Sequence, residues 1–201
     1  MPKLNKAVGK TMNNIKDTDV YRHTMSVLVD NEAGVLARVV GLFSGRGYNI
    51  ESLTVSEVDA ERKLSRINLV TSGTRQIVEQ IKAQLARLVP VHVVRDLTDE
   101  GPSIARELVL AKVAGIGDKR VEALRIGDIF GANVVDSTNE SFVFGVVGTM
   151  DKVNAFIDLM KPLGLVEVSR TGVAAIGRGQ KGMYKNLPKV HGRQRRGSKK
   201  T

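Results

Sequence analysis

The run DNEAGVLARVVGLFSGRGYNIESLTV, residues 30–55, decides how the rest of the chain is read. It follows an alternating segment in which Met25, Val27 and Val29 share one side. A strand therefore feeds a polar, Gly-containing loop, then an amphipathic helix, then a second strand. That order points a helix N-terminus outward, where free backbone N–H groups and the positive end of the helix dipole suit a carboxylate. Gly34 carries no Cβ, which leaves room for a small ligand to approach the main chain. Asn31 offers a carbonyl and an amide to the ligand's polar groups. A second reading stands beside this one and ranks first on spacing alone: Asp30 or Asn31 caps the helix, and Gly34 serves only the turn.

Outward from that run, the hydrophobic period gives an element order. Residues 23–30 read as a strand and 35–45 as a helix with Val35, Val39, Leu42 and Phe43 on one face. Residues 48–58 and 64–71 read as two strands joined by the polar segment 59–63. A helix carrying Ile77, Ile81, Leu85 and Leu88 follows, then a strand over 91–97. The order is βαββαβ, the split βαβ of ferredoxin-like folds, with two helices on one face of an antiparallel sheet. After a turn-rich linker over 98–103 the order repeats. Strands are expected over 107–114, 133–138, 142–148 and 165–176. Helices are expected over 118–130 and around Val153, Phe156, Ile157 and Met160. The expected fold class is α+β, two tandem ferredoxin-like domains at 22–98 and 99–178, flanked by an irregular 1–21 extension and a 179–201 tail. A four-stranded sheet covered on one face leaves its other face and its edges in need of cover. Pairing of two first domains, edge to edge or helix to helix, would supply it, so a homodimer is expected.

The net charge of +10 is concentrated at one end. Residues 178–201 hold nine of the 31 Lys and Arg and no acid, leaving 22 basic against 21 acidic residues in the remainder. The body is nearly neutral, and the tail is too poor in apolar residues to fold alone, so it reads as a disordered basic arm. The absence of Cys excludes a disulfide scaffold and a thiolate metal site and fits a cytoplasmic setting. No segment reaches the length of a membrane span, and no signal segment opens the chain.

Catalytic chemistry is hard to find. The three histidines, His23, His92 and His191, have no thiolate partner and no H-E-x-x-H spacing, which argues against a metal or a His-based nucleophilic site. The run from Gly115 to Arg120 begins like a phosphate-binding turn. It lacks the third Gly of G-x-G-x-x-G and the Lys-Ser/Thr of a P-loop, so it reads as a turn before a helix. The alternative function is a nucleic-acid-binding module with a basic tail. Such sheets need aromatic residues on central strands to stack bases; residues 64–71 have none, and Phe142 and Phe144 fit sheet packing as well. The tail would add only salt-sensitive, non-specific polyanion binding.

Residues 30–55 closely resemble the N-terminal ACT domain of the regulatory small subunit of acetohydroxyacid synthase, also called acetolactate synthase. The run Arg46-Gly47-Tyr48-Asn49-Ile50-Glu51-Ser52-Leu53 is the most specific part. The similarity continues through Leu64-Ser65-Arg66, Gln80-Ile81 and Leu85 to Arg170-Thr171-Gly172-Val173-Ala174, covering about residues 22–178. The resemblance implies no enzyme activity in this chain. It implies a partner that binds and activates a thiamine-diphosphate-dependent catalytic large subunit and makes it sensitive to feedback inhibition by valine. No cofactor is expected on this chain; thiamine diphosphate, Mg and FAD would sit in the catalytic partner. It also implies a valine site between two ACT domains, with Asn31, Gly34 and the Val35 and Leu36 backbone from one subunit and Asn49 and Ile50 from the other. Neither the 1–21 extension nor the tail matches the family pattern.

Overall fold

The structure, a computed structural model, describes residues 19–183. The chain builds β1 (Tyr21–Asp30), α1 (Val35–Ser44), β2 (Ser52–Asp59), β3 (Leu64–Gly73), α2 (Arg75–Leu85) and β4 (Val91–Asp96). A second unit follows: β5 (Ser103–Val113), α3 (Asp118–Phe130), β6 (Asn133–Ser137), β7 (Phe142–Gly148), α4 (Met150–Met160), β8 (Leu165–Arg170) and β9 (Ala174–Gly177). Each unit has the βαββαβ order, to which the second adds β9; the antiparallel sheets are ordered β2-β3-β1-β4 and β6-β7-β5-β8, with β9 also paired to β5.

Alternation in the strands and helical spacing in the helices meet in one core per unit. Met25, Val27 and Val29 of β1 pack with Ile67 and Leu69 of β3 under Val35, Val39 and Phe43 of α1 and Val78, Ile81 and Leu85 of α2. In the second unit Val109, Ala111 and Val113 of β5 and Phe144 and Val146 of β7 lie under Ala123, Val153, Phe156 and Met160. The Thr74 and Thr149 hydroxyls accept from the Ile77 and Lys152 amides and start α2 and α4, a capping device worth about 1 kcal/mol each.

Three departures from the sequence expectation have physical causes. Residues 48–51 are not strand: Tyr48 turns its ring edge-on to Phe43, 6.2 Å between centroids, and Ile50 packs against the core from an irregular segment. The strand expected over 165–176 is broken at Thr171–Val173. Arg170 is opposite Val109 and Ala174 opposite Arg106, so three residues of this strand face two of β5, a bulge that bends it. Beyond the bulge the chain leaves its own unit. Val173 and Ala175 pack on Val70 and Leu97, and Met183 packs on Leu28 and Leu64. The helix-free face of the first sheet, expected to need a partner, is thus covered in part by the chain's own C-terminal segment, and Met183 lies five residues into the stretch read as a disordered arm. Residues 1–18 and 184–201, which hold most of the extension and the arm, lie outside the described residues.

Candidate effector-binding site

The loop between β1 and α1 is built so that the helix end stays open. Gly34 takes the N-cap position with φ +84° and ψ −6°, and no side chain caps α1. The capping reading of Asp30 and Asn31 therefore fails: the N-cap position falls on Gly34, the Asp30 side chain is taken by another strand, and the Asn31 side chain bonds no α1 amide. The Asp30 carboxylate lies 2.7 Å from His92 Nε2 on the neighbouring β4, and the Asn31 amide donates to the Lys63 carbonyl at 2.7 Å. Among the described residues, the Leu36 and Ala37 amides and the Asn31 side chain meet no protein partner. A Cβ built on Gly34 would meet nothing within 4 Å. The result is a solvent-facing nest of N–H groups at the positive end of a 10-residue helix, suited to a carboxylate. Val35 turns its side chain into the core and its amide makes a long, 3.4 Å bond to the Glu32 carbonyl, whereas Leu36 is 41% exposed and offers apolar surface.

The other expected residues lie apart from this nest. Asn49 is exposed, and its carbonyl accepts the Thr71 hydroxyl at 2.6 Å. Ile50 is half-buried on the core. Ser52, at the head of β2, is opposite Val70, and Val70 is opposite Thr24 near the start of β1; Asp30, at the other end of β1, is opposite Leu64. Six strand residues separate those levels, about 20 Å at ~3.4 Å per residue. The chain therefore brings Asn31, Gly34, Val35 and Leu36 together, and holds Asn49 and Ile50 at the opposite end of the sheet.

The fold also recruits residues that spacing did not single out. Glu51 is held by the Arg22 guanidinium at 2.7 Å and by the Ser72 hydroxyl, and its amide donates to the Val70 carbonyl at 2.8 Å. Ser52 and Thr54 reach Val173 of the second unit. The signal in the sequence was faint: Ser52 and Gly172 belong to the runs that carry the family resemblance, yet neither has a local role in a strand.

Competing chemistry finds less support. Phe142 and Phe144 are buried in the second core, with Arg120 lying 3.7 Å over the Phe142 ring, so neither is a stacking platform for bases. Among the described residues His23, Asp96 and Asp99 bring ligand-type atoms within 4.8 Å of one another. His23 Nδ1 and Asp96 Oδ2 are already paired at 2.6 Å in a fully buried contact, and the other Asp96 oxygen accepts the Thr98 amide. Burial alone would raise the Asp96 carboxyl, but the hydrogen bonds from His23 and Thr98 and the nearby positive charge outweigh it and hold it below its ordinary range. The Gly115–Arg120 run turns the chain and opens α3 at Asp118. No helix among the described residues is long and apolar enough to cross a membrane.

Comparison with known proteins meets this geometry from outside. Residues 25–93 match the ACT domain of acetohydroxyacid synthase small subunits, and residues 106–179 match the small subunit of acetolactate synthase. A probable acetolactate synthase small subunit of Archaeoglobus fulgidus is 46% identical over 160 residues, covering 80% of this chain and 99% of that protein. This chain belongs to the acetolactate synthase small-subunit family. The isozyme 3 small subunit of Escherichia coli is 42% identical over 161 residues, covering 80% of this chain and 98% of that one. The crystal structure of the small subunit from Thermotoga maritima superposes with a TM-score of 0.71 at 35% identity, over 80% of this chain and 99% of that chain. Membership in a small-subunit family brings a catalytic large subunit with it as partner, and it accounts for the ACT-type first unit.

Proposed function

We propose that this chain is a non-catalytic, cytoplasmic regulator of branched-chain amino-acid synthesis. It binds the thiamine-diphosphate-dependent large subunit, raises its activity and confers feedback inhibition by valine. The observation that carries this reading is the divided site: an uncapped helix end at Gly34 and a second set of residues, Asn49 and Ile50, about 20 Å away in the same protomer. A two-fold axis runs paired edge strands antiparallel, so it sets one protomer's Asn31–Leu36 end beside its partner's Asn49–Ile50 end. The edge for such pairing is β2, whose Val55 and Val58 are exposed. Valine then sits between two protomers, its carboxylate on the α1 amides, its ammonium on an Asn carbonyl oxygen and its side chain against Leu36 and Ile50. Thiamine diphosphate, Mg and FAD belong on this reading to the large subunit.

Burying the valine side chain contributes about 1.5–3 kcal/mol, and the helix end adds about 0.3–1 kcal/mol. With a few charge-assisted hydrogen bonds the affinity falls in the micromolar to sub-millimolar range. One methylene discriminates by only about 1–3 kcal/mol, so leucine and isoleucine are expected to bind as weaker competitors. Calorimetry with Gly34→Asp tests the site. The new side chain enters open space rather than the core and places a carboxylate where the ligand's own must lie; at φ +84° it also strains the backbone, so circular dichroism checks the variant's fold before the titration. Valine binding to the unmodified chain and none to the variant is expected; equal binding to both removes the assignment.

A further inference from the structure

We propose that Ser52, Thr54 and Gly172 form the joint through which an occupied effector loop reorients the second domain, with Ser52 and Thr54 acting as positioning residues and not as ligand contacts. The inference rests on the reading of Asn49 and Ile50 as one half of the valine site. Ser52 follows Ile50 by two residues, and the intervening Glu51 is tied through its amide and carboxylate to β3 and Arg22. The segment 49–54 therefore moves as one piece with the edge of the first sheet.

That edge grips the second domain at a single backbone residue. The Ser52 hydroxyl oxygen accepts the Val173 amide at 2.8 Å, and the Thr54 hydroxyl donates to the Val173 carbonyl at 3.0 Å. Both polar groups of the Val173 main chain are thus held by side chains of β2. Gly172 sits in the same contact with φ +79°, and a Cβ there would lie 2.8 Å from Ser52 Oγ, 3.0 Å from Thr54 Cγ2 and 3.3 Å from the Leu53 carbonyl. No slack remains between β2 and the bulge. Because the bulge joins β8 to β9 along β5, a twist of the β2 edge is delivered to the sheet of the second domain.

The surroundings have the form of a hinge. Under the joint, Val70 and Leu97 pack on Val173 and Ala175, an apolar seat that keeps the domains attached. Beside it a cleft of about 440 Å³ separates the domains, with Glu51 and Leu53 on one wall and Asn154 and Arg170 on the other. The ion pair across the cleft, Arg22 to Asp151, is long at 3.5 Å, and Asp151 is 89% exposed, so it resists closure or opening weakly. The structure is stiff at the joint and loose at the cleft, which lets a small displacement at the joint change the interdomain angle.

The test uses full-length chain with its catalytic subunit. Thr54→Val removes the hydroxyl at nearly constant volume, Thr54→Ser restores it, and Gly172→Ala wedges the contact from the other side. Thr54→Val and Gly172→Ala are expected to bind valine within about threefold of the unmodified chain while inhibition of acetolactate formation weakens about tenfold, with Thr54→Ser inhibited normally. Normal inhibition of Thr54→Val overturns the joint and leaves the valine site standing, whereas absence of valine binding to the unmodified chain overturns the site and the joint together. The lack of native Cys permits a readout independent of the large subunit: spin labels on Glu61→Cys and Glu140→Cys, one exposed site in each domain. Their separation should shift when valine is added, and shift less with Thr54→Val; an unchanged separation in the otherwise unmodified chain also overturns the proposal.

Discussion

The buried Thr71 hydroxyl donates to the Asn49 carbonyl at 2.6 Å and so fastens the loop that carries Asn49 and Ile50 to the centre of the first sheet. Thr71→Val keeps the shape and removes the donor. Asn49 is exposed, so water takes over its carbonyl and the stability cost stays near the low end for a lost hydrogen bond, about 1 kcal/mol. The loop loses its preorganisation, and valine affinity should fall about 3- to 10-fold. Thermal unfolding and calorimetry on the same preparation separate the two effects; an unchanged affinity would show that the tether does not shape the site.

Glu107 shows a different balance. Its side chain is 1% exposed and is gripped by Nε and Nη2 of the Arg170 guanidinium, whose Nη1 donates to the Asn154 side-chain oxygen at 2.9 Å. Arg170→Met removes the partner and leaves a buried charge, a change that costs about 3–5 kcal/mol for a fully buried pair. Arg170 is 34% exposed, so solvent screening should reduce the loss to roughly 2–3 kcal/mol. Denaturant unfolding should also show that replacing both partners, Glu107→Gln with Arg170→Met, recovers part of it.

Acid should expose the contribution of the buried His23–Asp96 contact. Asp96 lies below its ordinary value of 3.8 in the folded protein, against burial, because His23, the Thr98 amide and the charge on Lys82 favour its ionised form. A depressed carboxyl stabilises the fold above its unfolded-state value, and that stabilisation is lost as pH falls through the folded-state value. Asp96→Asn should therefore be less stable than the unmodified chain by about 2–4 kcal/mol at pH 7. The gap should hold down to about pH 4 and narrow below it. A gap that stays constant to pH 2 would contradict the charge assignment.

Element order was legible because the hydrophobic period is a local property: the α3 and β7 ranges follow directly from apolar spacing and flanking turns. What escaped depends on contacts distant in sequence. Asp30 does not cap α1 because His92, 62 residues on, takes its carboxylate. The expected last strand breaks at Gly172 because Ser52 and Thr54, about 120 residues earlier, hold Val173. The family resemblance named Asn31, Gly34, Asn49 and Ile50 and implied their division between two subunits; what it could not give is the strand register, which holds the two sets about 20 Å apart within the chain.

The central claim is that this chain regulates a large subunit and has no acetolactate synthase activity of its own. The measurement that tests it most directly is acetolactate formation by the cognate large subunit, titrated with this chain in the presence and absence of valine. Activity that rises to a plateau as the chain is added, valine inhibition that appears only when it is present, and no turnover by the chain alone are the results predicted. An unchanged rate at saturating chain, or equal valine sensitivity without it, would contradict the account.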